Sequence, residues 1–165
     1  MLLICTASHG HNLALARRIE LLAQARGIDT HLLDLTTLDW PLYTSREALR
    51  PTNLAATENH FQQASAFFFV APEYNGSVPP ALNNALAWLS TQSDNFRALF
   101  NGKACAMATH SGGGGQKVLV AMRLQLSHLG LHVVGREILT NPKKPLRDDS
   151  VDALLDQIQK LEASL

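Results

Sequence analysis

The run Ala-Phe-Phe-Phe-Val-Ala at residues 66–71 carries no polar side chain. Successive side chains of a strand point to opposite faces, so three consecutive Phe need apolar cover on both sides of the sheet they join. The run stops at Pro72, exposes Glu73, Tyr74, Asn75 and Gly76, and restarts at once as "PPALNNALAWLS", residues 79–90. Proline is tolerated in a first helical turn, so this second segment reads as a helix. A short apolar run that ends in Gly, Pro and Asn and feeds a helix marks the carboxyl end of a buried parallel strand, where open α/β sheets bind ligands.

The same order recurs along the chain. "MLLICTAS" is a short apolar run, and "NLALARRIELLAQARG" follows with apolar residues at helical spacing and Gly27 as its stop. "IDTHLLDL" reads as a second strand, "NLAATENHFQQA" as a weakly amphipathic helix and "KACAMATH" as a fourth, buried strand. "SGGGGQKVLVAMRLQLSHLG" is a glycine loop opening a helix, "LHVVGREIL" a single fifth strand, and "DSVDALLDQIQKLEASL" a closing helix with an acidic start. Parallel neighbours need helical crossovers, and right-handed crossovers cover both faces. The expectation is one α/β domain over residues 1–165: a three-layer, flavodoxin-like fold with a five-stranded parallel sheet of order 2-1-3-4-5 and helices on both faces. Its ligand crevice should lie where the loops after strands 1, 3 and 4 meet.

Composition narrows the function classes. The 165 residues hold 14 Lys plus Arg against 14 Asp plus Glu, so no general pull toward nucleic acid or an anionic membrane is expected. The apolar amino terminus lacks a basic leader, and no stretch approaches the roughly 20 apolar residues that span a bilayer, which predicts a cytoplasmic protein. Cys5 and Cys105 lie inside apolar strands without metal or CxxC spacing and are read as inert buried thiols.

Three loops can carry chemistry. In "TASHGHN", residues 6–12, small residues let the backbone turn tightly, so amides at the helix start can face a phosphate, with Asn12 a candidate N-cap. Gly10 is its one glycine, so this is not the GxGxxG fingerprint, and a single phosphate fits better than a pyrophosphate. An ordinary turn with nothing bound is the plainer reading. His9 and His11 raise a metal, but no third ligand stands nearby in sequence, and no metal is expected. In "APEYNGSVPP", Gly76 permits a positive φ and Asn75 tolerates unusual angles, so the segment can present its amides and Tyr74 to a planar ligand. In "THSGGGG", residues 109–115, four glycines allow close approach of the backbone to a flat ring. A serine hydrolase is disfavoured, because Thr109 and not Gly stands two residues before Ser111 and the nucleophile elbow is absent.

"PEYNGSVPPALNNALAWLS" resembles the signature of the NADPH-dependent FMN reductase family, and the likeness extends over roughly residues 1–135, including "WPLY" at 40–43 and the glycine loop. The resemblance implies noncovalent FMN reduced by NADPH or NADH, with electrons passed to a small-molecule acceptor: a quinone, azo, nitro, metal-oxyanion or flavin compound. By position, Pro72, Glu73, Tyr74, Asn75 and Gly76 would line the isoalloxazine, and Ser111, Gly112 and Gly113 its other side. Ser8, His9, Gly10, His11 and Asn12 would form the phosphate loop. The family's loop commonly reads Gly-Ser-x-Arg-x-x-Ser-x-Asn; aligned on Asn12, this chain has Ala7 at the Arg and Gly10 at the Ser. Hydride chemistry belongs to the flavin, so no catalytic side chain is assigned and Glu73 is read as structural. A flavodoxin-like electron carrier and a non-catalytic flavin-binding scaffold are the alternatives.

The resemblance also implies a homodimer or homotetramer. In "PPALNNALAWLS" only Asn83, Asn84 and Ser90 are polar, so the helix has more apolar surface than one stripe and the surplus is expected to meet a partner. The alternative is that the loops at 36–51 and 91–102 fold over it.

Overall fold

A computed structural model describes residues 1–44, 50–91 and 93–165. The elements are β1 (Leu2–Thr6), α1 (His11–Ala25), β2 (Thr30–Asp34), a 3-10 turn (Leu35–Thr37), α2 (Leu54–Gln63), β3 (Ala66–Val70), α3 (Pro80–Leu89), β4 (Ala104–His110), α4 (Gln116–His128), β5 (His132–Val133), β6 (Ile138–Thr140) and α5 (Asp148–Glu162). All strand pairs are parallel and the order is β2-β1-β3-β4-β5, with β6 also on β4. This is the expected flavodoxin-like topology.

The three phenylalanines of β3 alternate between the layers. Phe67 and Phe69 pack with Leu3, Cys5, Cys105 and Met107 toward α2, α3 and α4, and Phe61 and Phe100 close around Phe67. Phe68 points the other way, with Ile4 and the small Ala104, Ala106 and Ala108, toward α1 and α5. Each fully buried Phe contributes about 1.5–3 kcal/mol of transfer free energy, available only because helices cover both faces. Both cysteines are buried in the sheet, and burial pushes their thiols up, which leaves them unreactive.

The fifth strand departs from the single run "LHVVGREIL". Cys105 pairs with Val133 and Ala108 with Ile138, so five steps along the outer strand oppose three on β4 and two extra residues loop out between β5 and β6. Arg123 of α4 holds this bulge: its guanidinium donates to the carbonyls of Val133 and Val134 and pairs with Glu137 at 3.0 Å. Gly135 and the charged pair Arg136 and Glu137 occupy the bulge, because a side chain leaving the ladder there meets water.

The surplus apolar face of α3 is covered within the chain, which corrects the argument for a partner on that helix. Trp88 and Leu89 are 5 % and 2 % exposed. The indole of Trp88 donates to the carbonyl of Pro41, Asn84 bonds the backbone of Trp40, Pro41 and Tyr43, and the Tyr43 ring meets Trp88 edge-on at 5.1 Å. The "WPLY" segment is therefore the lid of α3, and Phe100 from the 91–102 loop joins the same core. Residues 45–49 and Gln92 of these loops lie outside the described residues.

His31 of β2 stacks on His60 of α2, centroids 3.9 Å apart and 13° from parallel. Burial first, and the neighbouring charge of His60 second, hold His31 below its usual pKa of 6.5. A depressed imidazole stabilises the fold above its unfolded pKa, and that contribution is lost as the pH falls through the lower folded value. The midpoint of thermal unfolding is expected to drop as the pH falls from 7 toward 5, and His31→Gln is expected to flatten that drop; an unchanged slope in the variant rejects the assignment.

Candidate functional site

The parallel registers bring Thr6, Val70 and Ala108 side by side, so the loops that follow β1, β3 and β4 leave the sheet at one edge. Ala7 still donates to Val70 O, after which Thr6 Oγ1 and Ser8 Oγ bond the carbonyls of Ser8 and His9 and curl the loop into α1. Gly10, at φ 70°, caps the helix without any side-chain bond, so the amides of the first turn of α1 receive no acceptor from a capping side chain.

Asn12 is not an N-cap. It lies inside the first turn, 3 % exposed, where its Nδ2 donates to His110 O (3.0 Å) and its Oδ1 accepts from His110 N (2.8 Å). The reason lies in the ladder: β3 ends at Val70, opposite Ala108, so His110 has no β3 residue to pair with and the Asn12 amide takes that place. His110 is further fixed by Thr140. The Thr140 hydroxyl donates to Thr109 O, so its oxygen accepts from His110 Nδ1–H at 3.0 Å. On its other side His110 stacks on His11, centroids 4.5 Å apart. His9 turns away from both, with Nδ1 3.3 Å from Asp34 Oδ2 and Nε2 3.0 Å from Thr36 Oγ1.

After β3, Tyr74 and Ser77 exchange two backbone bonds around Asn75 and Gly76, at φ 52° and 74°. Two left-handed central residues make the tight turn that Asn-Gly favours. Glu73 joins this loop to the next one: its N–H donates to Ser111 Oγ (2.8 Å) and its carboxylate accepts from Lys117 N (3.2 Å). The carboxylate thereby caps α4, whose own cap, Gly115, has no side chain to do so. Gly115 must be glycine, since a Cβ there would lie 2.7 Å from Thr109 Cγ2 at a φ of 85°. Ser111 Oγ is also 3.0 Å from Thr109 Oγ1 and is buried, a structural hydroxyl rather than a nucleophile.

Between these loops lies a cavity of about 350 Å³ lined by Ala7, Ser8, His9, Thr36, Tyr74, Pro79, Pro80 and Ala81. A second hollow of about 240 Å³, against Leu38, Trp40 and Ala85, shares Thr36 and Ala81 with it. Of the residues read from the sequence, Ser8, His9 and Tyr74 line the cavity and Gly10, His11 and Asn12 form the helix start beside it. Pro72 is buried behind the turn, and Gly112 and Gly113 are exposed on the far loop with open space where a Cβ would stand. Sequence reasoning missed Thr36, Pro79, Pro80, Ala81 and His110. The two prolines were legible as a helix start, and Thr36 follows β2 at the same carboxyl edge, a place the crevice rule covers. Among the described residues no group of three or more His, Cys, Asp or Glu is placed to hold a metal, and no helix is long and apolar enough to cross a membrane.

Topology and crevice together define a flavodoxin-like α/β domain with a ligand groove at its carboxyl edge. The chain belongs to the NADPH-dependent FMN reductase family, a family of oxidoreductases, whose model matches residues 1–145. It is 30 % identical over 139 residues to an NAD(P)H:quinone oxidoreductase of Solanum tuberosum, covering 81 % of this chain and 69 % of that protein. It is 32 % identical over 124 residues to a quinone reductase of Escherichia coli (strain K12), covering 69 % of this chain and 64 % of that protein. The matched region thus spans about two thirds of these relatives' length. Among solved structures, FerB, a flavoenzyme NAD(P)H:(acceptor) oxidoreductase of Paracoccus denitrificans, shares the fold with a TM-score of 0.79 at 23 % identity, over 96 % of this chain and 97 % of that one.

Asn12→Ala removes the partner of two backbone groups at the end of β4. It is expected to cost about 2 kcal/mol, read as a lower midpoint in denaturant unfolding, and to speed amide exchange at His110. Wild-type stability and protection in that variant would show that the amide bonds do not join the loops.

Proposed function

We propose that the chain is an FMN-dependent oxidoreductase that takes hydride from NADPH or NADH and delivers electrons to a small-molecule acceptor such as a quinone, azo, nitro, metal-oxyanion or flavin compound. The observation that carries this reading is the groove at the carboxyl edge: the α1 start without a side-chain cap stands beside a cavity lined by Ser8, His9 and Tyr74, and the loop after β4 presents Gly112 and Gly113 with open space where a Cβ would stand. These residues fit a flavin mononucleotide. Amides of the first turn of α1 suit its phosphate, because the helix dipole and the uncapped donors favour an anion. Gly112 and Gly113 leave room for a flat ring, and the backbone of Asn75 and Gly76 offers donors and acceptors for its edge. When bound, FMN supplies the two-electron transfer between nicotinamide and acceptor, and the protein supplies position and electrostatics.

The side chains of Glu73, Ser111 and Asn12 serve this arrangement indirectly, by fixing the three loops to one another. A chain of zero net charge has no overall attraction for the basic partners of a one-electron carrier, which favours a reductase over a flavodoxin-like role. The homodimer or homotetramer belongs to the same proposal. With Trp88 and Leu89 buried, its apolar contact falls to Val120 and Leu124 on α4, 59 % and 70 % exposed one turn apart. Light scattering is expected to report more than a monomer at micromolar concentration, and Val120→Asp with Leu124→Asp is expected to shift it to monomer.

Purified protein is expected to bind FMN and bleach rapidly on addition of NADPH or NADH under argon. Yellow protein that does not bleach points to a carrier, and protein that ignores added FMN rejects the reading. Gly112→Leu projects into open space, so it is expected to keep the unfolding midpoint while weakening FMN by about tenfold or more, roughly 1.4 kcal/mol. Undiminished FMN binding in that variant removes the glycine loop from the site.

A further inference from the structure

Two imidazoles, His9 and His11, stand at the start of α1. Residues 6–12 contain no Lys or Arg, so the side chains of this loop able to carry positive charge are His9 and His11. His9 is already matched with Asp34. His11, the first residue of α1, is stacked on His110, and His110 is oriented from behind by Thr140 and tied through its backbone to Asn12. We infer that the stacked His11–His110 pair is the charge-bearing part of the phosphate subsite, so that FMN is bound together with a proton and is held more tightly as the pH falls. This inference rests on the proposed flavin site.

The chemistry follows from the tautomer. Thr140 holds the Nδ1 proton of neutral His110, which leaves Nε2 a bare acceptor with nothing to offer a phosphate oxygen. Partial burial and the neighbouring His11 keep His110 below the usual imidazole value, so without a ligand its neutral form is favoured. A phosphate dianion beside the pair reverses that preference, because an opposite charge nearby favours the imidazolium. One proton is then taken up as FMN binds. Two stacked rings repel a second charge, so the uptake stops at one.

The remaining charged groups on the surrounding elements are carboxylates, guanidinium groups and amines. On α1, Arg18 is paired with Asp148 of α5, and Arg17 is exposed. Arg147 is paired with Asp149, Glu73 holds α4, Lys117 lies beside Gly76, and Lys143 and Lys144 stand in the turn after β6. Asp, Glu, Arg and Lys keep their charges between about pH 6.5 and 8.5.

The test compares FMN with riboflavin, which lacks the phosphate, by titrating flavin fluorescence against the apoprotein from pH 6.5 to 8.5. FMN affinity is expected to weaken by up to about tenfold per pH unit at the alkaline end, the limit for one linked proton, while riboflavin affinity stays level. His11→Gln and His110→Gln are each expected to flatten the FMN profile and lower affinity most at pH 6.5. His11→Arg, which keeps a permanent charge, is expected to restore tight FMN binding without the pH dependence. FMN that outbinds riboflavin equally at every pH, with both Gln variants unchanged, overturns the inference and leaves the flavin site standing on its amides. Failure of both flavins to bind overturns the site and the inference together.

Discussion

The double-sided burial of β3 is the constraint on which the rest depends. Phe67, Phe68 and Phe69 cannot all be dry unless apolar helices lie above and below the sheet, and helical crossovers on two faces make the strands parallel. Parallel strands in register end at one edge, and the loops that follow them are gathered there whatever their sequence. The candidate groove is in this sense a by-product of core burial. The loops then need only enough polar chemistry to stop them moving apart.

That chemistry is concentrated in three side chains. Asn12 completes a ladder position that β3 is too short to fill, Ser111 accepts the amide of Glu73, and Glu73 returns its carboxylate to α4. Each satisfies a backbone group at a strand or helix end, where an unpaired group would be costly. The polar residues that a motif reading places around a ligand are thus spent on one another. What lines the groove is Ala7, Ala81 and the rings of Tyr74, Pro79 and Pro80, with Ser8, His9 and Thr36 as its polar members, a mixture suited to a flat molecule with a polar rim.

The same division explains α3. Its sequence shows an apolar excess, and the excess is real, but it is met from within the chain because Asn84 and the Trp88 indole bond the backbone of 40–43 and draw that segment across the helix. Two polar side chains on an apolar helix decided which surface is outside. The bulge between β5 and β6 follows a similar rule: Arg123 offers a fork of donors to the carbonyls of Val133 and Val134, where the outer strand breaks, so that neither is left unpaired.

Local pattern by itself determined the elements apart from the break of the fifth strand into β5 and β6, the parallel sheet with its order, the left-handed Asn75–Gly76 turn and the edge at which a ligand would bind, because burial period and turn chemistry are properties of neighbouring residues. The family was legible for the same reason, since its signature is contiguous from Pro72 to Ser90. Tertiary structure alone decided the partners of Asn12, Glu73, Trp88 and His110, each 30 or more residues distant in the chain. A hydrogen-bonding side chain names what it can bond but not what the fold will bring to it, and at this site the fold brings backbone ends that no local pattern marks as unpaired.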